Sequence, residues 1–200
     1  INIAASHKDI EKFFKFVGAM RNKVKNVMIC GGGRVAYYLA SQLLPLGMQV
    51  KIIEQDEARC LHLCELLPKA TIIHGNATDH ELLEEEGIAH ADAFVSLTGM
   101  DEENIIMSLY AKTKQVSKIV TKVNGEALQY MVDQLGMESV VSAKNVTANV
   151  ITGYVRAMNN SMGSANVETM YQLINGKIEA LEFQIREATK YTGIPLKDLS

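Results

Sequence analysis

Residues 27–36, which read VMICGGGRVA, decide the fold of this protein. The four apolar residues that open the stretch predict a buried β-strand, and the three glycines after them predict a tight turn into a helix. Gly31-Gly32-Gly33-Arg34-Val35-Ala36 fits the pattern G-x-G-x-x-G/A of dinucleotide-binding proteins. In this pattern Gly31 permits the turn, Gly33 lets a pyrophosphate approach the backbone, and Ala36 lets the helix pack closely on the sheet.

An acidic residue follows at the distance that this pattern needs. Glu54 ends the next predicted strand, 23 residues beyond Gly31. A carboxylate there accepts both hydroxyls of an adenosine ribose and repels a 2′-phosphate, so it favours NAD, ATP or ADP over NADP. The N–H groups of the helix that follows the turn are suited to the phosphates. The alternative is a packing turn without a ligand, against which the agreement of glycines, acid and context argues.

Outward from this turn, strands and helices alternate as far as residue 159. Six strands are predicted, at residues 27–30, 50–53, 70–74, 93–97, 118–123 and 139–142. This alternation predicts an α/β fold with a doubly wound, parallel, six-stranded sheet in the Rossmann order 3-2-1-4-5-6. A long helix with apolar residues on several sides is predicted at 143–159.

The two ends of the chain follow a different pattern. Residues 1–24 are predicted to be a linker with a short helix, and residues 25–142 to be the nucleotide-binding domain. In residues 160–200, two predicted strands flank Asn175-Gly176, a pair that favours a β-hairpin. We interpret this region as the start of a small α+β domain, and the chain as a piece of a longer protein.

Composition excludes several classes of protein. With 48% hydrophobic and 22% charged residues, the 200-residue chain can bury a core. A net charge of −3 argues against DNA or RNA as a partner, because such partners need a basic surface. No apolar run is long enough to span a bilayer. Cys30, Cys60 and Cys64 are too few for a disulfide scaffold, and we expect buried, reduced thiols.

Further candidate binding residues lie where ligands bind to such sheets, at the carboxyl ends of the strands. Arg34 and Arg59 would reach phosphates or the ribose, or else are solvated helix charges. Other candidates follow or end the second to fifth strands: Gln55 beside Glu54, Asn76 and Ala77 near an adenine ring, Thr98, Gly99 and Lys122. Asp101 and the two glutamates after it are interpreted as a favourable helix start.

Neither a catalytic residue nor a metal site is predicted. Tyr110 and Lys114 match the Y-x-x-x-K pair of short-chain dehydrogenases, but they lie in the helix after the fourth strand rather than in a later one. A chance pair on a helix face is the favoured interpretation. The rival hypothesis is an NAD-dependent oxidoreductase fragment that lacks its substrate domain.

Four segments together resemble the RCK (KTN) domain family, and within it the regulators of Trk potassium uptake. They are residues 25–35, residues 53–56 with Arg59, residues 74–79 and residues 97–104. The family's ligand positions correspond here to Gly31, Gly32, Gly33, Arg34, Val35, Glu54, Thr98, Gly99 and Lys122. Asn76 stands where Asp is commoner in the family, and Ala36 replaces the third glycine. The family's tandem arrangement implies that this chain is the second of two units, cut inside its C-terminal domain.

The resemblance implies a ligand-gated switch rather than an enzyme. It implies a cytoplasmic regulatory subunit that binds NAD(H), or ATP or ADP. That subunit would gate an integral-membrane potassium transporter from the inner face of the cell membrane. The helix at 143–159 resembles the crossover helix through which family members form homo-oligomers; the alternative is an ordinary helix that covers the sheet.

Overall fold

The computed structural model describes residues 7–18, 24–137, 139–161, 167–173, 178–183 and 192–195. The chain divides into two compact units, Ile1–Val141 and Ser142–Ser200. In the described part of the chain, no helix is both long and apolar enough to cross a membrane.

The first unit contains a parallel sheet of six strands in the order β3-β2-β1-β4-β5-β6. The predicted fold class and strand order are therefore confirmed. The strands are β1 Asn26–Cys30, β2 Gln49–Glu54, β3 Thr71–His74, β4 Ala93–Ser96, β5 Lys118–Lys122 and β6 Val140–Val141. Because β1 lies between β2 and β4, the glycine turn after β1 lies at the centre of the sheet's carboxyl edge.

The helix α1 His7–Phe16 precedes β1. Five helices connect successive strands: α2 Arg34–Leu43, α3 Glu57–Leu66, α4 His80–Glu85, α5 Asp101–Thr113 and α6 Glu126–Gln134. The helix α2 ends at Leu43. A 3-10 turn with Pro45 follows it, and Gly47 takes a φ of +81° that other residues rarely adopt.

Both faces of the sheet are buried, as in other parallel sheets. On one face Val27 and Ile29 of β1 pack with Ala36 of α2. On the other face Met28 packs with Phe94 of β4. Ala36 has no exposed surface, which agrees with the expectation that a small residue lets α2 approach the sheet. These contacts hold β1, and with it the glycine turn, rigidly in place.

The cysteine prediction is wrong at one position. Cys30 and Cys60 are buried, and burial is the main cause that raises the pKa of both thiols. Cys64 is exposed. Cys64 lies about one helical turn beyond Cys60, so its side chain is rotated by about 40° around the axis of α3. This rotation moves the side chain from the face of α3 that packs on the sheet to the face that meets solvent. All three cysteines are free.

The second unit contains α7 Ala143–Ser161 and an antiparallel pair of strands, β7 Val167–Leu173 and β8 Ile178–Phe183. The two strands of the predicted hairpin are thus confirmed. The predicted turn residues Asn175 and Gly176 lie outside the described residues, as does much of 160–200.

Candidate functional site

A pocket of about 310 Å³ opens at the carboxyl edge of the sheet, between the segments that follow β1, β2, β3 and β4. Eight of the predicted residues line it: Gly31, Gly33, Glu54, Gln55, Asn76, Ala77, Thr98 and Gly99. Five further predicted residues are not among the described lining: Gly32, Arg34, Val35, Arg59 and Lys122. The lining also includes residues that the sequence did not predict: Ile53, Gly75, Thr78, Leu97, Met100 and Glu103.

The three glycines of the turn have three different environments. Gly31 has a φ of +95°, and a Cβ there would lie 2.9 Å from the backbone N of Thr98. A Cβ on Gly32 would lie 2.6 Å from Cδ1 of Leu63. A Cβ on Gly33 would meet nothing within 4 Å. Only Gly33 therefore leaves space that a ligand can use, while its neighbours are small because protein atoms surround them.

The N-terminus of α2 has no side-chain cap. Gly33 is its N-cap residue, whereas Asp56 caps α3 and Asp79 caps α4 with their carboxylates. The first turn of α2 carries no acid and begins with Arg34. Free N–H groups and the positive end of the helix dipole at Gly33 therefore favour an anion at this side of the pocket.

The side of the pocket formed by α5 has the opposite charge. The first turn of α5 contains Asp101, Glu102 and Glu103, and Glu103 lines the pocket. The carboxylate of Asp101 also accepts hydrogen bonds from the backbone N–H groups of Asn124 and Gly125, both at 2.8 Å. Asp101 therefore does more than favour the start of its own helix, because it ties α5 to the loop after β5.

Glu54 connects the glycine turn to the segment after β2. Its Oε2 accepts a hydrogen bond of 2.6 Å from the backbone N–H of Gly32, and its Oε1 accepts one of 2.9 Å from that of Asp56. A carboxylate oxygen accepts more than one hydrogen bond, so each oxygen keeps the capacity to bind a hydroxyl group. The carboxylate is thus held in a fixed orientation at the pocket wall.

Arg59 holds the same glycine through its other backbone group, the carbonyl. Its Nε donates a hydrogen bond of 2.6 Å to the carbonyl oxygen of Gly32. This contact gives Arg59 a role that the sequence did not indicate, as a brace for the turn rather than a solvated charge. Its predicted contact with a ligand stays a prediction.

Asn76 forms a local turn after β3. Its Oδ1 accepts hydrogen bonds from the backbone N–H of Thr78, at 3.0 Å, and from the Thr78 hydroxyl, at 2.9 Å. Because a backbone N–H can only donate, the amide oxygen must face Thr78 and the Nδ2 group is left as a donor. The order Asn-Ala-Thr after a strand is the sequence signal for this turn.

Thr98 is held by a residue that the sequence analysis missed. The backbone N–H and the hydroxyl of Thr98 both donate to Oδ1 of Asn104, each at 2.9 Å. Asn104 is fully buried near the start of α5. A polar residue one turn into a helix that follows a Thr-Gly loop is the signal that could have found it. Lys122 points its Nζ to the carbonyl oxygen of Leu97, at 3.4 Å, and so braces the same loop.

Tyr110 and Lys114 lie apart from this pocket's described lining. The Tyr110 hydroxyl donates to Oε1 of Glu84 at 2.7 Å, and Lys114 forms an ion pair with the same carboxylate. The hydrogen bond from Lys114, and next that from Tyr110, lowers the pKa of Glu84. The bond to Glu84 in turn raises the pKa of Tyr110 and of Lys114. The pair therefore joins α5 to α4, and neither group is poised for proton transfer at the pocket.

Among the described residues, no group of three or more His, Cys, Asp or Glu side chains is arranged to hold a metal ion.

Comparison with known families identifies the domain. Residues 27–143 match the family model described as the TrkA-N domain. This chain belongs to the TrkA-N domain family. The match begins within β1 of this TrkA-N chain and ends at the first residue of α7, so it includes every segment that lines the pocket.

The TrkA-N chain is similar to named potassium uptake proteins. It is 32% identical over 178 residues to the Trk system potassium uptake protein TrkA of Halomonas elongata, which covers 89% of this chain and 37% of that protein. It is 32% identical over 174 residues to a TrkA homolog of Methanothermobacter thermautotrophicus, covering 87% of this chain and 76% of that protein. The chain thus spans well under half the length of the Halomonas relative.

Solved structures share the fold of the TrkA-N chain. The GsuK RCK domain is 21% identical, with a TM-score of 0.62 over 80% of this chain and 34% of that one. The GsuK channel bound to NAD is 16% identical, with a TM-score of 0.56 over 84% and 32% of the two chains. The Kef C-terminal domain of Shewanella denitrificans in AMP-bound form is 22% identical, with a TM-score of 0.55 over 70% and 84%.

Proposed function

We propose that this TrkA-N chain binds NAD(H) or an adenine nucleotide in the pocket and regulates a membrane potassium uptake system through that binding. The observation that carries the proposal is the unit of Glu54, Gly32 and the uncapped end of α2. It combines a fixed carboxylate with an anion-binding helix terminus at one pocket wall. A nucleotide has both groups that such a wall recognises, a ribose and a phosphate.

The lining indicates how the ligand would be arranged. The phosphates would lie over Gly33, where the space is open, and the ribose hydroxyls would bind Glu54. The base would lie toward residues 75–78, where Asn76 offers its Nδ2 as a donor. The names of two structures with this fold, one bound to NAD and one to AMP, support a ligand that contains adenosine.

Glu54 would also select among dinucleotides. A phosphate on the ribose 2′-oxygen would meet a carboxylate that two backbone N–H groups hold in place. Because the carboxylate has no freedom to turn away, like-charge repulsion would disfavour NADP(H). This preference for NAD(H), ATP or ADP agrees with the expectation from sequence.

The proposed role is regulatory rather than catalytic. The fold itself is shared with oxidoreductases, so the argument depends on the side chains. Tyr110 and Lys114, the pair on which an oxidoreductase would depend, both bind Glu84 and are not among the described lining residues. The relatives are named as potassium uptake proteins, which supports a potassium transporter as the partner.

In this proposal the protein acts in the cytoplasm, at the inner face of the cell membrane, as a homo-oligomer. The helix α7 supports the oligomer, because exposed apolar residues recur at four-residue spacing along it: Val146, Val150 and Tyr154, flanked by Ile151 and Val155. Such a stripe is suited to a second copy of the same helix. A ligand would then act by binding one arrangement of the oligomer more tightly than another.

Calorimetric titration tests the proposal. NADH, ADP, ATP and NADPH are each titrated into the protein, and the oligomeric state is measured by sedimentation with and without ligand. We expect saturable binding of NADH or of an adenine nucleotide, and weaker binding of NADPH. Failure of all four ligands to bind would rule the proposal out.

A further inference from the structure

The amide of Asn104 uses all of its hydrogen-bonding capacity inside the protein. Its Oδ1 accepts from the backbone N–H and the hydroxyl of Thr98, and its Nδ2 donates to the carbonyl oxygens of Thr98, at 3.3 Å, and Lys122, at 3.0 Å. A side-chain amide has two acceptor and two donor positions, so this one is saturated. One fully buried group therefore fixes two separate segments relative to each other.

The two segments have different positions in the site. Thr98 lies in the loop after β4 and lines the pocket. Lys122 is the last residue of β5, and its carbonyl leads directly into the loop before α6. A displacement of Thr98 would break or strain the bond to Lys122, because the amide is rigid and no donor or acceptor position is spare.

A second contact extends this connection. Asp101, three residues before Asn104, binds the backbone N–H groups of Asn124 and Gly125. In that loop Oδ1 of Asn124 is buried and has no hydrogen-bond partner among the described residues. An unpaired buried acceptor is unfavourable, so an alternative arrangement of the loop that pairs this oxygen would recover free energy. A loop of this kind is suited to a change between two arrangements.

We propose that Asn104 is a positioning residue that couples the nucleotide pocket to the loop between β5 and α6. It holds Thr98 in the arrangement that binds the ligand, and it passes any displacement of Thr98 to residues 122–125. The inference rests on the proposed function, because the ligand is the nucleotide of the same pocket. Coupling is reciprocal, so an altered Asn104 changes both ligand affinity and the response of the loop.

Amide hydrogen exchange in the unaltered protein is the first test, with NADH and ADP as the probes. Ligand is expected to change the exchange rate of the Thr98 amide and also those of the Asn124 and Gly125 amides, which lie outside the described lining. A change at Thr98 without one at 124–125 would overturn the coupling. If neither of these ligands binds, and ATP does not bind either, the proposed function fails first and the inference fails with it.

A pair of matched variants is the second test. Ser108 lies one turn beyond Asn104 on α5, is equally buried, and bonds to the hydroxyls of Ser96 and Thr121 at 2.8 Å each. Ser108→Ala therefore removes buried hydrogen bonds from the same helix without touching the pocket loop. Asn104→Ala is expected to weaken nucleotide binding by about tenfold or more and to abolish the exchange response at 124–125. Ser108→Ala is expected to keep the nucleotide affinity and the exchange response of the unaltered protein.

Two results would show that Asn104 has a structural role only. One is that Asn104→Ala binds nucleotide as tightly as the unaltered protein. The other is that Asn104→Ala and Ser108→Ala lose the same amount of nucleotide affinity. If Asn104→Ala does not fold, Asn104→Ser takes its place, because it keeps one hydroxyl at the position. The same two measurements are made on it, and the same results support or overturn the inference.

Discussion

The carboxylate of Glu54 and the backbone N–H of Gly32 are joined by a hydrogen bond of 2.6 Å. The acid at the end of β2 and the turn after β1 are thus a single unit. The carbonyl oxygen of the same glycine accepts a hydrogen bond from Nε of Arg59. The glycine turn is therefore held by contacts within the protein itself, and such preorganisation lowers the entropy cost of binding a ligand.

Replacing Glu54 tests this unit. Glu54→Gln keeps the size of the side chain but removes its charge, and it brings an amide N–H₂ group against one of two backbone N–H donors. We expect the affinity for NADH or ADP to fall by about tenfold, because hydrogen bonds to a charged group contribute about 1.5–3 kcal/mol. The preference for NADH over NADPH should become smaller in the same variant.

Calorimetry measures the affinity and this preference. Glu57→Gln is the control, since Glu57 is exposed in the first turn of α3. Equal losses in the two variants would contradict the assignment.

Two alanine substitutions in the turn should have separate effects. Gly33→Ala, at a φ of −65° and in open space, should change the free energy of unfolding by less than about 1 kcal/mol but weaken nucleotide binding at least about tenfold. Gly31→Ala should destabilise the protein by about 2–4 kcal/mol, because of its positive φ and the contact with Thr98. Urea unfolding and calorimetry distinguish the two. Unchanged affinity in Gly33→Ala would show that the ligand does not pass over this residue.

Replacing Tyr110 separates the regulatory proposal from the oxidoreductase hypothesis. Tyr110→Phe removes the hydroxyl that donates to Glu84 and leaves the ring, which stacks on His80 with ring centres 4.2 Å apart. Nucleotide affinity should stay within about twofold, because single surface contacts of this kind contribute little. The measurement is NADH titration, together with an assay for hydride exchange. A turnover that disappears in Tyr110→Phe would instead support the oxidoreductase.

The start of β1 should make stability depend on pH. Hydrogen bonds from the backbone N–H of Asn26, and next from that of Lys25, lower the pKa of Asp92. Since the pKa is lower in the folded state, Asp92 stabilises the protein above the unfolded pKa, and this contribution is lost as the pH falls through the folded one. Asp92→Asn should therefore be less stable than the unaltered protein at pH 7, and the difference should shrink with acidification. Urea unfolding of both proteins, from pH 7 down through the folded-state pKa of Asp92, measures this difference in stability. A difference that grows as the pH falls would contradict the predicted direction.

Much of the fold follows from local sequence pattern. Three features are each recognisable within a few residues, because strand, turn and helix preferences act over that range. They are the strand at 27–30, the glycines after it and the acid at Glu54. The strand order then follows from right-handed crossovers between alternating strands and helices. Residues that follow a strand end are brought to the same edge by this topology, and Asn76 and Thr98 accordingly line the pocket.

The direction of individual side chains could not be predicted in the same way. Arg59 and Lys122 were expected to reach a ligand, which stays a prediction, and the sequence did not indicate that each also binds a backbone carbonyl, that of Gly32 and that of Leu97. A long side chain can reach many partners, and the packing of its helix or strand decides which one is near. Asp101 was expected to favour its own helix and binds a neighbouring loop as well.

The sequence by itself determined the sheet, the position of the glycine turn and the acid that faces it, because these depend on residue type and spacing. Only the tertiary structure decided that Gly32 is enclosed by Leu63 and Glu54, and that Asn104 joins the pocket loop to the end of β5. Those contacts join residues from different segments of the chain. Their partners are set by how α3 and α5 pack on the sheet, which no local pattern records.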